Sequence, residues 1–219
     1  HTDYVELLNK AGVQKVPCMQ HRIFLGAGQR DGFMDRDTFC GLAESVYPSE
    51  VEKRHAGTAI TDAALMFYTS GTTAMPKGCP LDHIVLQHAG VVGGTDRLRL
   101  IAGDVVWNPL PMFHSAFTQP LTGTLHVGGT LVSMAHFEPV EALNLIARER
   151  VTVAFPAFPA ITLQILHHPR YAPDTLKDVR VMLNVGPPEE LVAMQSLMPH
   201  TTQITCFGMS ECGGSVAMC

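Results

Sequence analysis

Residues 63–82 constrain the chain more tightly than any other stretch. An apolar run, Ala63-Ala64-Leu65-Met66-Phe67-Tyr68-Thr69, leads straight into Ser70-Gly71-Thr72-Thr73-Ala74-Met75-Pro76-Lys77-Gly78. The run has the length and composition of a buried strand. The segment after it reads as a loop of small and hydroxyl-bearing residues reaching Gly78, after which Asp82 can cap a helix to about Val92. Glycine lets backbone N–H groups turn together toward an anion, and such a nest suits phosphate. Ser70, Thr72 and Thr73 add hydroxyl donors and Lys77 adds a positive charge. The loop is not a Walker A motif, which needs Gly where Pro76 stands and Ser or Thr where Gly78 stands. The competing reading is a polar surface loop; a Lys-bearing Ser/Thr/Gly loop behind an apolar strand favours phosphate.

The pattern beyond this loop alternates. Strands are expected at Val105–Trp107, Thr130–Met134, Val151–Phe155, Val179–Val185 and Thr202–Cys206. Helices are expected at Ala116–Val127, Pro139–Arg150, Ala160–His167 and Glu189–Leu197. In the second of these helices Pro139 stands first and Val140, Leu143 and Ile146 form one stripe. Strand–helix alternation predicts an α/β fold with largely parallel sheets flanked by helices. Residues 1–59 are weakly patterned and read as an irregular leading segment. It holds short helices at Asp3–Lys10 and from Pro48, and a Gly/Asp-rich loop over Gly26–Asp37. Residues 60–219 form the regular α/β region.

Composition narrows the classes. Of 219 residues 46% are hydrophobic and 16% charged, which excludes a disordered chain. The formal net charge is -5 and no Lys/Arg cluster occurs, which argues against nucleic acid as a partner. No apolar run reaches the ~20 residues of a membrane span, and His1-Thr2-Asp3-Tyr4 offers no signal peptide. The six cysteines include no C-x-x-C pair and the eleven histidines no H-E-x-x-H, so a zinc site is not expected. Scattered cysteines of this kind suit reduced thiols and a cytoplasmic location.

The run from Tyr68 to Gly78 closely resembles the Y-T-S-G-T-T-G-x-P-K-G signature of the adenylate-forming family, which includes acyl-CoA synthetases, luciferases and amino-acid adenylation domains. Ala74 departs from it, standing where the family usually has Gly. If that position needs a positive φ, Ala costs about 1 kcal/mol. Further segments resemble the family in the expected order. They are Asn108-Pro109-Leu110-Pro111-Met112-Phe113-His114-Ser115, then Phe137 through Thr152, then Val185-Gly186-Pro187-Pro188, then Cys206-Phe207-Gly208-Met209-Ser210-Glu211. In the last of these Phe207 replaces the usual Tyr and Ser210 the usual Thr, keeping an aromatic face and a hydroxyl.

The resemblance implies part of a large N-terminal domain, with a C-terminal domain carrying a catalytic Lys expected beyond Cys219. It implies ATP, Mg²⁺ and coenzyme A, and a small-molecule carboxylic acid activated first as an acyl-adenylate and then as a thioester. Thr69, Ser70, Gly71, Thr72, Thr73 and Lys77 would hold the β- and γ-phosphates. Gly186, Pro187, Phe207 and Gly208 would frame the adenine, Ser210 would meet the α-phosphate, and Glu211 would hold Mg²⁺. His114 falls where acyl-CoA synthetases often carry a His or aromatic residue near the carboxylate, and where amino-acid adenylation domains usually carry an Asp. Phe113, Phe117 and Phe158 would border an apolar acyl pocket. Trp107, His167 and His168 read as structural. Two other functions stay open: a ligase that hands the adenylate to a carrier protein, and a nucleotide-binding piece without turnover. An oligomer is also left open.

Overall fold

A computed structural model describes residues 3–70 and 75–219. The chain divides into two compact units, one ending at Thr58 and one beginning at Ala59.

In the first unit, helix α1 (Tyr4–Lys10) starts at Asp3, whose Oδ1 accepts from the backbone N–H groups of Val5 and Glu6. Strand β1 (Ile23–Phe24) pairs in parallel with β2 (Met34–Asp35). Helix α2 (Arg36–Gly41) follows at once, because the Asp35 carboxylate accepts from the backbone and side chain of Thr38. The stretch expected as loop over Gly26–Asp37 therefore ends as strand and helix start. A single Asp one residue before a helix is a local signal, easily lost in a Gly/Asp-rich segment. Helix α3 (Pro48–Ala56) begins at Pro48, whose missing N–H is no loss in a first turn. None of residues 3–58 is fully buried.

The second unit carries the core. Strand β3 (Ala63–Thr69) pairs antiparallel with β4 (Lys77–Asp82), Thr69 opposite Lys77. This corrects two expectations. Lys77 and Gly78 lie on a strand rather than in a loop. The apolar run of β3 is not a buried strand: only Phe67 is buried, since β3 has a single neighbour among the described strands, and Met66 and Tyr68 are exposed. Phe67, Cys79 and Leu81 pack with Val85 and Leu86 of helix α4 (His83–Val92), which Asp82 caps through the Val85 N–H.

The main sheet has five parallel strands: β5 (Val105–Trp107), β6 (Thr130–Val132), β7 (Val153–Ala157), β8 (Val181–Asn184) and β9 (Thr202–Ile204), in spatial order β6-β5-β7-β8-β9. Between them run α5 (Ser115–His126), α6 (Pro139–Glu149), α7 (Pro159–Leu166) and α8 (Pro188–Leu197). Alternation along the strands splits the core by face. Trp107, Ala154 and Met182 meet Leu143 and Ile146 of α6, Ile165 of α7 and Met194 of α8. Val106, Val153, Phe155 and Leu183 face the other way, toward Leu98, Leu100, Leu110 and Met218. The central strand β7 is buried throughout. The chain ends in an antiparallel hairpin, β10 (Cys206–Met209) and β11 (Gly214–Met218), which the sequence pattern did not separate from β9.

Helix α5 continues through Pro120, which has no N–H for the carbonyl four residues back, that of Ala116. The buried Asn108 supplies the missing donor: its Nδ2 donates to Ala116 O at 3.0 Å, while its Oδ1 accepts from Leu110 N–H at 2.9 Å. α5 crosses α4 at glycine-to-glycine range, since a Cβ at Gly123 would stand 2.6 Å from Gly90 O.

Candidate active site

A cavity of about 260 Å³ opens where β7 and β8 end, beside the start of α5 and the β10–β11 hairpin. Ligands of open parallel sheets bind at this end of the strands. His114, Phe158, Val185, Phe207, Gly208 and Ser210 line it, as do Gln119 and Ser215.

Each residue is held there by its element. Ala157, last in β7, has φ 57°, a left-handed conformation unusual for a residue with a Cβ. It turns the chain so that Phe158 borders the cavity, and its carbonyl accepts from Val185 N–H at 2.7 Å, fixing the two strand ends together. Asn184 is wholly buried beneath Val185; Thr162 of α7 donates to its Oδ1, and its Nδ2 donates to Gln203 Oε1 at 3.0 Å. His114 is the N-cap of α5, and its Nδ1 accepts from Ala116 N–H at 3.1 Å. In the neutral ring the proton then sits on Nε2, which can donate to an anionic oxygen. Phe207 is 65% exposed, an uncovered aromatic face on β10. Gly208 faces backbone: a Cβ there would stand 2.3 Å from Gly214 O.

The other expected residues are distributed around this cavity rather than in it. Glu211, one residue from Ser210 in the short 3₁₀ turn Ser210–Cys212, faces a second cleft between α4 and β11. Strand β4, with Lys77 at its start, packs against that turn, so Lys77's strand and Glu211's turn are neighbours. Thr69 ends β3 opposite Lys77 and Ser70 follows it; Gly71, Thr72 and Thr73, with Ala74, lie outside the described residues. Gly186 and Pro187 follow Val185 but do not line the cavity; Gly186 packs on Pro159, whose Cγ would be 2.8 Å from an added Cβ. Of the three phenylalanines expected at an acyl pocket only Phe158 borders the cavity. Phe117 is buried elsewhere and Phe113 is exposed.

Among the described residues no three His, Cys, Asp or Glu side chains cluster as a metal site. Mg²⁺ keeps several waters and takes one or two carboxylates plus phosphate oxygens, so it needs no such cluster. Glu211, an exposed carboxylate on the turn that packs against β4, could supply one such carboxylate.

Residues 16–219 match the family described as AMP-binding enzyme. The chain belongs to that family. The 4-coumarate–CoA ligase 1 of Oryza sativa subsp. japonica is 34% identical over 166 residues, covering 72% of this chain and 29% of the relative. The chain spans about three-tenths of the length of the 4-coumarate–CoA ligases it matches. The luciferase-like enzyme of the mealworm Zophobas morio shares the fold with a TM-score of 0.70 at 22% identity, over 94% of this chain and 47% of that one. The o-succinylbenzoate coenzyme A synthetase of Bacillus subtilis, solved with ATP and magnesium, gives a TM-score of 0.63 at 23% identity, over 74% of this chain and 33% of that one. No described helix is long and apolar enough to cross a membrane.

Three contributors escaped the sequence reading: Ala157, Asn184 and Gln119. None belongs to a residue type that advertises chemistry, and each acts through backbone angle or buried hydrogen bonds visible only in three dimensions. The thiols can be ranked. Burial pushes the Cys206 thiol up, and burial with the Glu211 carboxylate nearby pushes Cys79 up. A raised pKa means less thiolate at neutral pH. Iodoacetamide at about pH 7.5, on the lower side of an ordinary thiol's titration, should therefore label exposed Cys18, Cys40, Cys212 and Cys219 first, with Cys79 and Cys206 last, read by peptide mass. Early labelling of Cys206 would mean the hairpin opens readily.

Proposed function

We propose that this protein activates a carboxylic acid with ATP. The acid's carboxylate oxygen attacks the α-phosphorus, the bond to the bridging oxygen breaks, and pyrophosphate leaves with the electron pair. The acyl-adenylate then meets the thiol of coenzyme A, whose sulfur displaces AMP to give the thioester. What carries the reading is the convergence of His114, Phe207 and Ser210 on one cavity at the strand ends, with Lys77's strand packed against the turn that begins at Ser210.

The residues divide the work by chemistry. Phe207 offers a flat face to the adenine, in the cavity that Val185 also lines. Ser210 donates its hydroxyl to the α-phosphate. Thr69, Ser70 and Lys77, with Gly71, Thr72 and Thr73, hold the outer phosphates. Nε2–H of His114 donates to the acid's carboxylate and orients it. Glu211 would hold Mg²⁺, which would supply charge neutralisation for the triphosphate. Positioning and charge neutralisation account for the rate, since the protein forms no covalent bond. Coenzyme A is preferred over a carrier protein because the rice relative is a CoA ligase.

Acid-dependent exchange of labelled pyrophosphate into ATP tests the first step. Lys77 is exposed, so Lys77→Ala should keep the melting temperature while slowing exchange by about 10²-fold, the scale of losing one charge-stabilising donor. An unchanged exchange rate would place the phosphates elsewhere.

A further inference from the structure

The backbone ladder between β8 and β9 stops where Leu183 faces Ile204. Two walls of the cavity lie just past that point: Val185 follows β8, and Phe207 follows β9 on the hairpin strand β10. Side chains continue the tie. Thr162, in the first turn of α7, donates from its hydroxyl to Asn184 Oδ1. Asn184 Nδ2 donates to Gln203 Oε1 at 3.0 Å, and Gln203 Nε2 donates to the Leu191 carbonyl of α8 at 2.7 Å. The backbone N–H of Gln203 also donates, to Gln195 Oε1 of α8 at 3.0 Å. Thr162 and Asn184 are buried and Gln203 is half-buried.

The direction of this relay is fixed from one end. A carbonyl only accepts, so Gln203 must turn Nε2 to Leu191 and Oε1 to Asn184. Asn184 must then offer Nδ2, which leaves its Oδ1 for the Thr162 hydroxyl. The relay joins the supports of three cavity walls. The N–H of Thr162 donates to the carbonyl of Phe158, the N-cap of α7, at 3.3 Å. Asn184 directly precedes Val185, and Gln203 stands on β9, which leads into the Phe207 hairpin. None of the three relay residues lines the cavity itself.

We propose that Thr162, Asn184 and Gln203 are positioning residues for the nucleotide, holding Val185 and Phe207 at the spacing that admits adenine. This rests on the adenylation reading above. The relay does not touch ATP; it acts through the two walls. A buried, one-directional relay suits the task. Shifting β8 against β9 breaks a bond and leaves a buried polar group unpaired, so a single spacing is favoured.

The test is pyrophosphate exchange by the intact protein, with kcat, KM for ATP and KM for the acid measured separately. Thr162→Val keeps the shape and removes the donor, whereas Thr162→Ser keeps the donor. Thr162→Val should raise KM for ATP about ten-fold, the scale of one lost buried hydrogen bond, with a smaller change in KM for the acid. Thr162→Ser should keep KM for ATP at its natural value. Gln203→Glu still accepts from Asn184 but turns an oxygen on the Leu191 carbonyl, and should raise KM for ATP as Thr162→Val does. A merely structural role would reduce the amount of folded protein, lowering kcat and leaving both KM values alone. A folded Thr162→Val with the natural KM for ATP, or a Thr162→Ser as impaired as Thr162→Val, would therefore overturn the positioning role and leave the adenylation reading intact. If Thr162→Val does not fold, Gln203→Glu decides, at its half-buried site: a folded variant with the natural KM for ATP overturns the role. No exchange with any acid by the natural protein would overturn the adenylation reading and the positioning role together.

Discussion

Trp107→Ala should lower the unfolding free energy by about 3–5 kcal/mol, the usual range for truncating a large buried aromatic side chain. Trp107 has no exposed surface and stands on β5 against the cluster built with α6, α7 and α8. Collapse around the void is limited, because β5 is paired on both sides, with β6 and with β7. Trp107→Phe should cost much less. It leaves a smaller void, and it removes an indole N–H that finds no acceptor among the described residues. Urea unfolding followed by circular dichroism gives both numbers. A Phe variant as damaged as the Ala variant would show that the indole nitrogen has a partner, such as an ordered water.

The regular part of this fold was legible because its signals are local and periodic. Pro139 and the Val140–Leu143–Ile146 stripe mark α6, and the chain obeys them from Pro139 to Glu149. Asp82 marks the start of α4 for the same reason. Burial was less legible. β3 is as apolar as a central strand, yet strand composition does not say how many neighbours a strand will have, and here it has one among the described strands. Pro120 was a further ambiguity. Its effect on α5 depends on whether another group reaches the Ala116 carbonyl, and the Asn108 that does so is 8 residues from Ala116 in sequence.

The candidate site divides along the same line. His114, Phe207 and Ser210 stand in motifs with fixed spacing, and the fold brings them to one cavity. Ser210 and Glu211 are adjacent in sequence but face different spaces, because a 3₁₀ turn rotates successive side chains by about a third of a circle. Gln119 had no motif to announce it. Its importance comes from Ser215, 96 residues away, and from glycines on two other elements.

Gly208→Ala should reduce acid-dependent pyrophosphate exchange by about 10²-fold, the penalty expected when reacting groups are misplaced by an ångström or so. The added methyl cannot be absorbed by a rotamer change, since everything it meets is backbone: Gly214 O at 2.3 Å, Gly214 C and Ser215 Cα at 2.8 Å. β10 and β11 must separate there, at a site where their register already shifts. The strain falls on a two-stranded hairpin outside the five-stranded sheet, so the loss of stability should stay at about 1–3 kcal/mol, typical of overpacking. Activity suffers more because the same hairpin carries Phe207, leads into Ser210 and Glu211, and presents Ser215 to Gln119. The measurement pairs exchange rate with urea unfolding. A variant that keeps its exchange rate while losing stability would show that the hairpin supports the fold without positioning the nucleotide.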